Sequence, residues 1–251
     1  MVSFAPQLKR SIAIAKKNLR IYYVKGPVII FGLLLPFFFF LAFWLGRDMS
    51  SIMLGTGLVG MAMWFASTSI SPVITSWETR TKTLERLISS PIGLSGILFG
   101  DMLASALIGI LITIVPLSIA LVVLDMTLVY PLVLALGLVL GSFCFSAIGV
   151  LMAALPTDTT ADVMMLSSLV KFPIIFVSGI FIPVSQLPGW GQAISHLSPL
   201  TYLTDLVRWT FGSNGSFWPS PLQNLLILTA FLMGFSALAV FSHRKTLPKR
   251  L

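Results

Sequence analysis

Residues Ile52 to Ile74, IMLGTGLVGMAMWFASTSISPVI, form a 23-residue apolar run, and residues Ser76 to Pro91, SWETRTKTLERLISSP, follow it as a densely charged island before a second long apolar run opens at Leu94. A run of this length without a charge is long enough to span a bilayer as a helix. The island between two such runs must then sit at a membrane surface. Working outward, further apolar segments are Pro27–Leu45, Leu94–Leu124, Tyr130–Leu155, Val163–Ile182 and Leu222–Phe241, six in all with Ile52–Ile74. The chain has 251 residues, 57% hydrophobic and 10% charged, far from the roughly 45–50% and 25% of soluble domains. Lipid offers no backbone partner, so only helices or closed barrels cross it, and runs without strict alternation exclude the barrel. The expected fold class is all-α: one polytopic transmembrane domain over residues 1–251 with six spanning helices.

Thirteen of the 16 basic residues fall on one predicted side: Lys9, Arg10, Lys16, Lys17, Arg20 and Lys25 before the first span, Arg80, Lys82 and Arg86 in the island, and Arg244, Lys245, Lys249 and Arg250 in the tail. Arg47 and Arg208 fall on the other. Positive charge stays inside, so both termini and the island are expected in the cytoplasm, with the chain in the cell membrane. The formal charge of +8 is thus a topology signal, and no basic domain with interleaved aromatics indicates nucleic acid. The 39-residue stretch after span five, Pro183–Pro221, then lies outside. It is too apolar for a free loop, and its Pro188-Gly189 and Pro199 breaks predict two short re-entrant helices in which Asp205 and Arg208 pair at i, i+3. The loop 156–162 carries Asp158 and Asp162 without a basic residue. No small-x-small site follows the first apolar run, so a cleaved signal peptide is not expected.

Ahead of span one, Leu8, Ile12, Ala15, Leu19 and Tyr22 share one helical face while the basic residues fall largely elsewhere, the pattern of a helix over residues 1–26 lying in the interface and touching membrane lipids. In the island, Trp77, Thr81, Leu84 and Ile88 recur at i, i+4, i+7 and i+11, with Leu87 beside Ile88, predicting one amphipathic helix ended by Ser89-Ser90-Pro91. Glu78, Lys82, Glu85 and Arg86 should point away from that stripe, with Glu78 and Lys82 paired at i, i+4. From the pattern alone this helix is either a connector or a docking element. The third apolar run exceeds what a bilayer needs, and Asp101 near its start predicts that this end emerges.

Chemistry-bearing motifs are few. No Gly-x-x-x-x-Gly-Lys-Ser/Thr is present, the nearest being Gly55 to Gly60 followed by Met61, so no P-loop is expected on this chain. His196 and His243 are predicted on opposite membrane faces, Asp101 and Asp125 near opposite ends of one span, and Cys144 stands alone; no catalytic set and no metal set results. Gly96/Gly100 and Gly137/Gly141 have the spacing for close helix contact, within the chain or between two copies. Lys171 lies about 12 Å into span five at 1.5 Å per residue. A charge there costs about 2.5–3.5 kcal/mol, so it is either snorkelling or internally paired, or it faces a translocation path.

The island resembles the Glu-Arg-x-x-Gly-Thr-Leu-Glu-x-Leu-x-x-(Thr/Ser)-Pro segment of ATP-binding-cassette exporter permeases for drugs, lipids and polysaccharides. A second similarity runs through Val177-Ser-Gly-Ile-Phe-Ile-Pro183, Leu187-Pro-Gly-Trp190 and Leu197-Ser-Pro-Leu-Thr-Tyr202 to Asp205 and Arg208. This chain departs at Lys82, where the family commonly has glycine, and at Asp101, where a basic residue is frequent. The resemblance implies a permease subunit, not itself an ATPase, that pairs with a second permease copy or paralogue as a dimer. A separate ATPase subunit, carrying the ATP and magnesium, would dock on the island through Glu78, Arg80, Thr83, Leu84, Glu85, Arg86 and Leu87. It implies an outer motif at Gly179, Pro183, Pro188, Trp190, Pro199, Tyr202, Asp205 and Arg208, and an amphipathic drug-like, lipid or glycan substrate. A membrane anchor or assembly protein that docks a partner without transport is the alternative. A secondary carrier comes third, because Lys171 is nearly alone where carriers place several ionisable groups.

Overall fold

The computed structural model describes residues 4–23, 30–46, 49–157, 159–213 and 220–249. Lys25, Pro27, Arg47, Asp158 and Arg250, and residues 214–219 of the predicted outer segment, lie outside the described residues. Within them the secondary structure is helical throughout: α1 (Phe4–Ile21), α2 (Leu35–Gly46) after a π-turn at Ile30–Leu34, α3 (Ser51–Ser67), α4 (Ser71–Arg80), α5 (Thr83–Ile88), α6 (Leu94–Val122), α7 (Pro131–Met152), α8 (Thr160–Val177), α9 (Gly189–Ser195), α10 (Pro199–Thr210) and α11 (Pro221–Thr246). Five stretches are long and apolar enough to cross a membrane: Ser51–Arg80, Leu94–Val122, Pro131–Met152, Thr160–Val177 and Pro221–Thr246. The first predicted span appears among the described residues only as a shorter apolar helix, Gly32–Gly46.

Two predicted helices are interrupted, and each break has a local cause. The run Ile52–Ile74 breaks between Ser67 and Ser71 because Pro72, in the first turn of α4, has no N–H to give the carbonyl four residues back, that of Thr68. The island breaks at Lys82, whose φ of 55° and ψ of 23° are left-handed. An L-residue there costs roughly 1–2 kcal/mol that glycine avoids. The left-handed turn accounts for glycine being common here in the family the island resembles, and Lys82 holds the same turn under strain. Lys82→Gly is expected to raise the unfolding free energy by about 1 kcal/mol, and β-branched Lys82→Val to lower it, in thermal unfolding of the detergent-solubilised chain.

Helix α10 occupies the centre, packed on α3, α7 and α11. Leu203 and Leu206 of α10 sit with Trp64, Phe145 and Leu228 in the main core cluster, and Trp64 meets Phe145 edge to face at 4.9 Å. Between helices in lipid there is little hydrophobic driving force, so close packing decides the contacts. Gly137 and Gly141 provide it here: Leu203 and Leu206 fill the space over them, and a Cβ on Gly141 would come 2.9 Å from Leu203 Cδ1. Gly96 and Gly100 face α1 instead, so both glycine pairs serve packing within this chain. Cys144 is buried in the same core.

The N-terminal helix packs on the bundle through part of the face expected to lie on lipid. Ser11, Ile14, Ala15 and Asn18 pack on α6, with Tyr22 buried just beyond the helix, while Leu8 and Ile12 remain 39% and 50% exposed. The single predicted apolar stripe therefore divides into an arc against protein and an arc left open beside it.

Candidate functional site

One end of the bundle gathers α1, α4, α5, the start of α6, the end of α7 and the end of α11. Asn18 Nδ2 donates to Asp101 Oδ1 at 2.6 Å. Ser11 Oγ donates to Gly96 O at 2.8 Å, Arg10 donates to Pro91 O, and His243 Nε2 lies 2.9 Å from Val150 O. Tyr23 bonds Ser105, whose own hydroxyl proton goes to Asp101 O at 3.0 Å, so the phenol is the donor. Asp101, expected to mark the end of α6 that emerges from the bilayer, is 3% exposed and covered by α1. Burial, with the Glu78 and Asp101 carboxylates adding to it, pushes the Tyr22 phenol up to about 12, so it stays protonated.

Glu78 does not take the outward place expected for it. It is 1% exposed and forms an ion pair with Lys17 of α1, the one salt bridge among the described residues; it points neither outward nor to Lys82. The reason is the fold of the island, in which Trp77 stacks on Tyr22 with ring centroids 5.3 Å apart. That fixes α4 against α1 and turns the neighbouring Glu78 into the gap between α1 and α6. Thr81, expected in the apolar stripe, is exposed at the break, and its hydroxyl donates to Trp77 O at 2.8 Å.

Helix α5 is held down by Leu84, which is buried, and by Leu87 and Ile88, which pack on Ile14, Ile92 and Ile97. Thr83 is half-buried, with its hydroxyl 3.3 Å from Glu78 O. Of the seven island residues singled out by resemblance, then, Arg80, Glu85 and Arg86 are exposed, Thr83 and Leu87 half-buried, and Glu78 and Leu84 inside. Glu85 and Arg86 are exposed on the anchored short helix α5, and Arg80 is exposed at the end of α4. The pairing partners of Glu78 and Asp101, Lys17 and Asn18, were not singled out from the sequence; Asn18 within the inward arc of α1 was the available signal.

Lys171 is 8% exposed. Its Nζ donates to Thr68 O at 2.5 Å, the carbonyl orphaned by Pro72, and Trp64 Nε1 reaches Lys171 O at 3.4 Å. Internal pairing is therefore met by a backbone acceptor at a helix break. Pro72 inside an apolar run was the signal for that partner.

The outer motif comes together in part. Gly179 adopts φ +78° at the end of α8, and its carbonyl accepts from Arg208 Nη2. Asp205 accepts from Asn224 Nδ2 at 3.0 Å, so the expected i, i+3 pair is drawn into two tertiary bonds, with Asp205 still adding Coulombic support to the guanidinium. Tyr202 Oη donates to His196 O at 2.9 Å, and Ser178 meets Ser198 at 2.9 Å. Pro183 precedes the 3-10 turn Val184–Gln186, Pro188 precedes α9, and Pro199 starts α10. Trp190 stands apart, 67% exposed. Asn224, a polar residue within an apolar helix, was the missed member.

A helical bundle with apolar outer faces, buried polar bonds between helices and a charged surface at one end defines a multi-pass membrane protein. Residues 8–212 match the family described as ABC-2 type transporter, and the chain belongs to that family. It is 27% identical over 134 residues to the inner membrane transport permease YadH of Escherichia coli strain K12, and equally to that of Shigella flexneri, covering 52% of this chain and 50% of each relative. The chain thus spans about half the length of the curated relatives it matches.

Proposed function

We propose that this chain is the permease subunit of an ATP-dependent exporter in the plasma membrane, with α1, the island and the end of α11 on the cytoplasmic side. In this reading the apolar helix before Gly46 is the first of six spans, and a second permease copy or paralogue completes the translocation path. ATP and magnesium are bound by a separate ATPase subunit that docks on α5. Leu8 and Ile12, open beside Lys9, Lys16 and Arg20, rest on membrane lipid, and α9 with α10 forms the outer re-entrant segment. The observation that carries the reading is the exposure of Glu85 and Arg86 on α5, a helix whose own apolar residues are spent on anchoring it, with Arg80 exposed at the end of α4. Closure of the ATPase pair then moves α5, and with it α4 and α1, as one body. The substrate is an amphipathic drug-like, lipid or glycan molecule.

Glu85→Ala/Arg86→Ala tests this. Both side chains are exposed, so the variant's own unfolding free energy should stay within about 0.5 kcal/mol of the parent, while ATPase co-purification falls about tenfold or more, the loss expected when a docking pair is removed. Undiminished co-purification and transport would remove α5 as the docking site. A chain that merely anchors a partner would also lose co-purification. Substrate-stimulated ATP hydrolysis by the co-purified complex separates the two.

A further inference from the structure

Between α3–α4 and α8 lies a small cleft, open at its mouth, with an interior of about 40 Å³, room for a few water-sized atoms. Its walls include Phe65, Val73 and Phe172, and Lys171 and Ser167 line it from α8. Those two residues are four apart, so they project from the same helix face one turn from each other. The Lys171 ammonium has three donors and gives one to Thr68 O, a neutral acceptor. No carboxylate among the described residues lies within ion-pair distance of it. The Ser167 hydroxyl is buried and has no partner among the described residues. A buried cation with spare donors beside an unpartnered hydroxyl, both opening on an apolar-walled cleft, is complete only when an anion enters.

We propose that this cleft binds the anionic head, a carboxylate or a phosphate, of an amphipathic molecule. The head takes the free donors of Lys171 and the hydroxyl of Ser167, and the apolar chain lies against Phe65 and Phe172. This deepens the exporter reading, on which its transport meaning rests, by making the substrate an anionic amphipath.

The test uses the purified full chain in phosphatidylcholine nanodiscs, photolabelled with a diazirine derivative of palmitic acid or with its methyl ester, the labelled peptides being mapped by mass spectrometry. The acid should label residues 160–177 about tenfold more than the ester, the factor expected for one charge-assisted contact. Ser167→Ala should lower acid labelling about fivefold without moving the unfolding temperature, because no group among the described residues bonds that hydroxyl. Lys171→Met should lose the acid preference, and Lys171→Arg should keep it. Competition by phosphatidylglycerol assigns the head to a bilayer phosphate; its absence assigns it to a single-chain carboxylate. Equal labelling by acid and ester, or full labelling in Ser167→Ala, overturns the proposal. The assay contains no ATPase, so its failure leaves the docking role of α5 standing, and loss of docking leaves this result unaffected.

Discussion

Gly100→Val is expected to detach α1 from the bundle. A Cβ at this position of α6 would lie 2.7 Å from Ser11 O and 2.8 Å from Ile14 Cβ. Neither atom is the loose end of a side chain, so relief requires the whole of α1 to move. Overpacking at a rigid contact costs about 1–3 kcal/mol, and separation also breaks Asn18–Asp101 and Ser11–Gly96. A loss of about 3 kcal/mol, at the top of that range, is the expected result in thermal unfolding, with a smaller loss in Gly100→Ala. Tryptic cleavage after Lys16 and Lys17 should accelerate in parallel. If the valine variant unfolds and is cleaved like the parent, α1 does not cross α6 at this glycine.

The second large effect belongs to the Lys17–Glu78 pair. Lys17→Met leaves the Glu78 carboxylate, 2% exposed in its side chain, without its cation, and with the Asp101 carboxylate close enough to act on it. Breaking a buried pair from one side costs about 3–5 kcal/mol; Lys17 is 28% exposed, which puts the expectation at about 3 kcal/mol, the lower end. Lys17→Met/Glu78→Leu should recover most of that loss, because an apolar pair of similar volume often equals a buried ion pair. A double-mutant cycle on unfolding free energies reads the coupling directly. No recovery in the double variant, or no loss in the single one, would rule out the pair as the tie between α1 and α4. Glu78 on this account positions the island from within, and the proposed docking surface is reduced to Arg80, Glu85 and Arg86.

The boundaries of most spans were legible because length and composition alone set them: the expected Tyr130–Leu155 corresponds to Pro131–Met152, and Leu222–Phe241 lies within Pro221–Thr246. The island was legible as a place but not as a shape. Its stripe of Trp77, Leu84 and Ile88 is real, yet one left-handed residue rotates the second half against the first, and a wheel drawn straight through Lys82 sends Glu78 to the wrong side. Helix α1 shows the same limit. Period and polarity put Leu8, Ile12, Ala15, Leu19 and Tyr22 on one lipid-facing stripe, while the protein buries Ala15 and Tyr22 together with Ser11 and Asn18, because polar groups taken out of water need partners.

From the sequence by itself came the all-helical membrane class, the charged island between two apolar runs and the two motifs that carry the family resemblance. These follow from the bilayer's demand on backbone and length, a local demand that every window of residues must meet. Only the tertiary structure decided that Glu78 belongs to Lys17, that Asp101 lies under Asn18, and that Lys171 answers the carbonyl of Thr68, 103 residues earlier and freed by Pro72. Periodicity states which residues share a face. What that face meets is settled by close packing and by the need of each buried polar group for a partner, and both join residues far apart in the chain.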